Sequence, residues 1–146
     1  MKPWSRTATG SAIAPSLAMT RVLLVEDSVD LLYVLQIELE SLGYEVEAAA
    51  NGDAALVAAQ RRAPDVIVSD LGMPGMDGFD FIKRIRKTPG LGSVPAIALT
   101  GASMYSDVQQ ALAFGFTAHL TKPVEARELE RRIEQLTARR LERKAG

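Results

Sequence analysis

The stretch Val66-Ile67-Val68-Ser69-Asp70-Leu71-Gly72-Met73-Pro74-Gly75-Met76-Asp77-Gly78 decides the fold. A short apolar run ends on a carboxylate and passes straight into Gly and Pro, the residues that interrupt regular structure. The pattern recurs on both sides. Val22-Leu23-Leu24-Val25 leads into Glu26-Asp27, Ala96-Ile97-Ala98-Leu99 into Thr100, and His119-Leu120-Thr121 into Lys122. In all, five strand-like segments begin near residues 21, 45, 65, 95 and 117. The first, third and fourth are apolar almost throughout, as strands covered on both faces must be.

Helical patterns fill the intervals. Leu32, Leu35, Leu39 and Leu42 recur at steps of three and four behind Ser28, a good N-cap, and Gly43 stops the helix. Asn51-Gly52-Asp53 opens a short Ala-rich helix that ends before Pro64. A third, over about 78–87, turns Phe79, Ile82 and Ile85 inward, with Asp77 read as a turn or cap residue and Pro89-Gly90 as the stop. The fourth, over about 103–114, carries Val108, Ala111 and Leu112, and the last, over about 125–140, has Leu129, Ile133 and Leu136 on one face. Strands alternating with helices predict an α/β fold, a single (βα)5 unit with a doubly wound parallel sheet. Right-handed crossovers favour the strand order 2-1-3-4-5, which sets the first and third strands side by side at the switch point where such sheets bind ligands. The second strand, ending in Ala48-Ala49-Ala50, then falls at an edge outside the site.

The 146 residues are 47% hydrophobic and 24% charged, enough for one domain with a real core. There is no cysteine, which excludes disulfides, thiol catalysis and sulfur-ligated zinc, and the single His119 excludes any site that needs two histidines. No apolar stretch approaches the roughly 18 residues of a membrane span, so no membrane role is expected. The net charge of −1 divides into +2 over residues 1–20, −6 over 21–126 and +3 over 127–146. An acidic body disfavours direct nucleic-acid binding. Arg131-Arg132 and Arg139-Arg140 read as a solvated face or tail.

Set side by side, the ends of the runs gather Glu26, Asp27, Asp70, Thr100 and Lys122. Carboxylates packed together repel, and a hard dication resolves the repulsion. Mg²⁺ takes oxygen ligands, needs only one or two carboxylates and keeps room for phosphate oxygens. Such a site suits phosphoryl transfer, which is largely positioning and charge neutralisation. Asp70 is the best nucleophile, since an aspartate can form an acyl phosphate. Lys122 would pair with Asp70 before reaction and with a phosphoryl oxygen after it, while Thr100 donates its hydroxyl to another. Glu26 and Asp27 would hold the metal, directly or through water, with the Gly72 main-chain carbonyl as a further ligand.

In this order and spacing, these residues make the chain resemble the response-regulator receiver domain of two-component signalling, a flavodoxin-like fold, over about residues 20–138. The match lies in Glu26-Asp27, in Asp70 with the turn that follows it, in Thr100 and in Lys122-Pro123. The resemblance implies that Asp70 takes a phosphoryl group, with Mg²⁺, from a sensor histidine kinase or a histidine phosphotransfer protein. It implies a cis Lys122-Pro123 bond and a switch role for Thr100. His119 stands where the family often has a Tyr or Phe that moves with that threonine, and it adds a group titrating near neutral pH. Gly72 and Ala102 occupy positions that influence the attacking water, and neither has a side chain to shield it. A phosphoryl group on Asp70 is therefore expected to be open to water.

The expected organisation is a flexible N-terminal tail over 1–19, a receiver over 20–138 and a basic C-terminal tail over 139–146. The expected function is a phosphorylation-controlled switch rather than an enzyme, assisting only its own phosphorylation and autodephosphorylation, in the cytoplasm. Few residues follow the last helix, which leaves a stand-alone receiver acting on a protein partner or a receiver cut from a longer chain such as a hybrid kinase, and the native start and untidy N-terminal tail favour the first as the expectation. The resemblance also allows a homodimer through the fourth helix, fifth strand and fifth helix. Two alternatives stand beside this reading. A Mg²⁺-dependent aspartyl-phosphate phosphatase of the haloacid-dehalogenase type would need Asp-x-Asp after the first strand, where this chain has Glu26-Asp27-Ser28-Val29-Asp30. A phosphorylation-independent pseudo-receiver would not need the complete set of five residues.

Overall fold

The structure, a computed structural model, describes residues 19–101 and 105–145. Five strands, β1 (Arg21–Val25), β2 (Glu45–Ala49), β3 (Val66–Asp70), β4 (Ala96–Thr100) and β5 (Ala118–Thr121), alternate with five helices. These are α1 (Val29–Ser41), α2 (Gly52–Arg61), α3 (Gly78–Lys87), α4 (Tyr105–Phe114) and α5 (Ala126–Ala145). The strands form one parallel sheet in the order β2-β1-β3-β4-β5, the order expected from the sequence.

Local chemistry fixes the helix starts. The side chains of Ser28, Asn51 and Asp77 accept from the main-chain N–H groups of Leu31, Ala54 and Asp80, each satisfying a donor that the first turn leaves free. After α1, Gly43 takes the left-handed conformation at φ 102° and turns the chain into β2. Alternate residues along a strand face opposite sides, so the sheet builds two cores. Leu23, Val25, Ile67, Ala96 and Ala98 pack with α2 and α3 and with Ala111 of α4. Val22, Leu24, Val66, Val68, Ile97 and Leu99 pack with Leu35 and Leu39 of α1 and with Leu129, Ile133 and Leu136 of α5. At the β2 edge, Glu45 and Glu47 are neutralised by Arg21, Arg61 and Arg62, a charged rim that discourages pairing with another strand.

Three local expectations change. The inward stripe of α3 is Gly78, Phe81, Ile82 and Ile85, so Phe81 and not Phe79 fills the core. Phe79 lies on the flank, edge-on to Phe114 with ring centroids 5.7 Å apart. On α4, Ala111 is buried and Val108 half-buried, but Leu112 is 42% exposed. Finally, α5 runs to Ala145 instead of ending near residue 140, because 126–145 contains no Gly or Pro and is rich in strong helix formers. Residues 139–145, expected as a tail, are therefore its last turns. All but Met19 of the expected N-terminal tail over 1–19, together with Ala102 and the start of the fourth helix at Ser103, lies outside the described residues.

One glycine ties β3 to α3. A Cβ on Gly78 would sit 2.5 Å from the Asp70 carbonyl oxygen and 2.7 Å from Leu71 Cα, and the Gly78 N–H donates to Leu71 O at 2.9 Å. Around Gly72 nothing lies within 4 Å of such an atom. Gly78→Ala is accordingly expected to lose about 1–3 kcal/mol in urea unfolding, whereas Gly72→Ala changes stability by less than about 1 kcal/mol.

Tyr44, buried between α1 and β2, gives a pH signature. Burial foremost, and the carboxylates of Glu134 and Glu130, push its phenol up to about 12. The folded state keeps a proton that the unfolded chain releases near pH 10, so stability falls as pH rises from about 10 to about 12, by at most about 2–3 kcal/mol. Denaturant midpoints measured against pH should show this loss in the native chain and a shallower one in Tyr44→Phe, with the two alike at pH 7.

Candidate functional site

Strand register assembles the site. Val25 pairs with Ser69 and Asp70 with Leu99, so Glu26 and Asp70 leave neighbouring strands at nearly the same level. Thr100 pairs with Thr121, and the Lys122 N–H donates to Thr100 O at 2.7 Å. Five groups from distant parts of the chain thus meet at the carboxyl edge of one sheet, the place where open α/β sheets bind ligands.

Lys122 lies at the centre. Its Nζ is 2.8 Å from Glu26 Oε1 and 3.2 Å from Asp70 Oδ1. Burial pulls the Lys122 ammonium down, but the hydrogen bond to Glu26 and the charges of Asp70 and Glu26 outweigh it and hold its pKa above the ordinary 10.5. Lys122 is therefore a cation throughout the neutral range. Glu26 is 1% exposed, and its second oxygen, Oε2, accepts from the Ser28 N–H at 3.0 Å. Asp70 is buried too, and Gly72 N–H donates to its Oδ1 at 3.4 Å. Asp27, at the bend that follows, is exposed to solvent.

One oxygen each from Glu26, Asp27 and Asp70 lies within 4.8 Å of the other two. Against one ammonium, three carboxylates leave a formal charge of −2 in a cluster whose donors are all oxygens. That donor set and that charge fit a hard divalent cation such as Mg²⁺.

Thr100 is buried beside this cluster and donates its hydroxyl to Leu120 O of β5 at 3.5 Å. His119 is half-buried on β5 and is not one of the groups that meet around Asp70. The Asp77 carboxylate is occupied in capping α3. The Lys122-Pro123 peptide is cis, as the resemblance implied. Pairing Lys122 with Asp70 alone understates Glu26, the nearer partner of the two. Among the described residues no helix is long and apolar enough to cross a membrane.

Comparison with known proteins agrees with this geometry. The family model of the response regulator receiver domain matches residues 22–134. An uncharacterised 14.6 kDa protein of Leptolyngbya boryana is 42% identical over 120 residues, 82% of this chain and 92% of that protein. Several other curated relatives are longer, and the chain spans 26% of PleD of Caulobacter vibrioides and 48% of the probable transcriptional regulator ycf27 of Porphyridium aerugineum. Among solved structures, the chemotaxis protein CheY4 of Vibrio cholerae superposes with a TM-score of 0.78 at 37% identity, covering 82% of this chain and 99% of that one. The receiver domain of a sensor histidine kinase of Pseudomonas aeruginosa, solved with a magnesium ion coordinated in its active-site cleft, gives 0.77 at 34% identity, covering 83% and 99%. The chain belongs to the response regulator receiver domain family of two-component signalling.

Proposed function

We propose that the chain accepts a phosphoryl group on Asp70 from a phosphohistidine, on a sensor histidine kinase or a histidine phosphotransfer protein, and passes the signal to a protein partner in the cytoplasm. The observation that carries this reading is the position of Lys122 Nζ, within hydrogen-bond reach of both Glu26 and Asp70 at the sheet edge. An Asp70 carboxylate oxygen attacks phosphorus, the P–O bond forms as the P–N bond breaks, and the imidazole leaves with the electron pair. Lys122 exchanges its contact with Asp70 for one with a phosphoryl oxygen and keeps Glu26. Mg²⁺, held by Asp27 and Asp70, by Glu26 directly or through water, and by the Gly72 carbonyl, would neutralise charge on the phosphoryl oxygens.

Thr100 links occupancy to output. When its hydroxyl turns to a phosphoryl oxygen it gives up Leu120 O, and β5 with His119 loses a tie to β4. The populations of the α4–β5–α5 surface then shift, because the new contacts exist in only one of its two arrangements. Leu112 of α4 is 42% exposed, apolar area available to a partner or to a second copy of the chain. The protein acts as a phosphoacceptor and does not turn over a separate substrate.

The test is acetyl phosphate with Mg²⁺, read by intact mass. The native chain should gain one phosphoryl group that a chelator prevents and acid or hydroxylamine treatment classifies as an acyl phosphate. Asp70→Ala should gain none, and Lys122→Met should react about 10²-fold more slowly. Labelling that persists in Asp70→Ala, no labelling at all, or many turnovers of a small phosphate ester would each overturn the reading. In a companion measurement, Gly72→Asn and Ala102→Glu are expected to lengthen the lifetime of the labelled form. Unchanged decay in both variants would show that water access at Asp70 is not the determinant.

A further inference from the structure

We propose that the end of the molecule opposite Asp70 holds a site for a small tetrahedral oxyanion, free phosphate or the phosphate of a monoester, between Arg140, Ser93 and Thr117. Ser93 and Pro95 precede β4, Thr117 precedes β5, and Arg139 and Arg140 lie on the last turns of α5, so these residues converge at the amino edge of the sheet. With Leu136 they line a cavity of about 90 Å³. That is room for about three waters. It is too small for a nucleotide or a drug-sized ligand, and of a size for an ion of five heavy atoms.

Beside Pro95 and Leu136, the lining carries the donors of Ser93, Thr117, Arg139 and Arg140. Arg140 Nη1 donates to the main-chain oxygen of Asp65 at 3.4 Å, but its Nε is buried without a hydrogen-bond partner in the structure. Buried N–H groups are nearly always paired, so an orphan at a cavity points to an acceptor that belongs there. Thr117 Oγ1 accepts from Ala96 N–H at 3.0 Å, which leaves the hydroxyl proton for a second acceptor. The segments 88–95 and 115–117 that frame the cavity contain no acid. Asp65, the acid whose main chain receives Arg140, directs its Oδ2 to the Arg21 N–H at 2.7 Å.

A second cation stands close by. Arg86 donates Nε to Gly115 O at 2.9 Å and Nη1 to Leu91 O at 3.2 Å, both neutral acceptors that leave its charge uncancelled. Burial first, and then the neighbouring Arg140, hold the Arg86 guanidinium below its ordinary pKa. Two guanidinium groups of like charge, one of which carries an orphan donor and lines a cavity with Ser93 and Thr117, are the complement of a small oxyanion. The bound ion would join the α3–β4 and α4–β5 connections to the end of α5.

The test is calorimetric titration of inorganic phosphate, and separately of glycerol phosphate, into the full chain at constant ionic strength with chelator present. The native chain and Asp70→Ala should each show one saturable site. Arg140→Gln and Thr117→Val, checked for intact folding by circular dichroism, should each weaken it by about tenfold or more. The exposed Arg127→Gln should leave it unchanged. Equal affinity for both titrants identifies a phosphate group as the ligand, and binding of inorganic phosphate alone identifies the free ion; either supports the site. The absence of a saturable isotherm, retention of full affinity in folded Arg140→Gln, or loss of binding in Asp70→Ala would overturn it.

Discussion

Without the Lys122 ammonium, 2.8 Å from Glu26 and 3.2 Å from Asp70, two buried carboxylates would face each other at the ends of adjacent strands. Removing one partner from a buried charge cluster costs several kcal/mol in other proteins, about 3–5 for a fully buried pair. Lys122 is partly open to solvent, which reduces that figure here. The same cation leaves the cluster with a formal charge of −2, short of neutral by the charge of one dication. The cluster is thus partly neutralised from within and keeps a charge that a dication would cancel.

The parallel sheet makes this arrangement possible. Lys122 and Glu26 are 96 residues apart in sequence, and they meet because every strand runs in the same direction and ends at the same edge. Gly78, packed against the Asp70 carbonyl, fixes the turn that follows Asp70, and Ser28 N–H fixes the second oxygen of Glu26. Thr100 is joined to β5 by its hydroxyl and by its main chain, so an event at Asp70 has a short physical route to the α4–β5–α5 surface. Against these supports, the Thr100 hydroxyl makes one long hydrogen bond, to Leu120 O at 3.5 Å.

Much of this was legible in the residues. Short apolar runs closed by a polar residue placed most of the strands, and Ser28, Asn51 and Asp77 marked helix starts because a short polar side chain before an apolar period has few other uses. What the sequence could not resolve depends on rotation about a helix axis or on long-range contact. Phe79 and Phe81 are equally apolar, and only packing decides that Phe81 enters the core. Leu112 looks like a core residue in the sequence yet is exposed, while its neighbour Ala111 packs into the core. Arg140 looks like one more charge in a basic helix, and its buried Nε becomes apparent only when Ser93 and Thr117 are brought beside it.

The most direct test of the central claim is a structure of the chain with Mg²⁺ and beryllium fluoride, a stable mimic of a phosphoryl group. The account requires the mimic on an Asp70 oxygen, Lys122 Nζ in contact with both a fluorine and Glu26, and the Thr100 hydroxyl turned from Leu120 O toward the fluoride. A mimic bound elsewhere, or one bound to Asp70 while Lys122 and Thr100 keep their present partners, would contradict it.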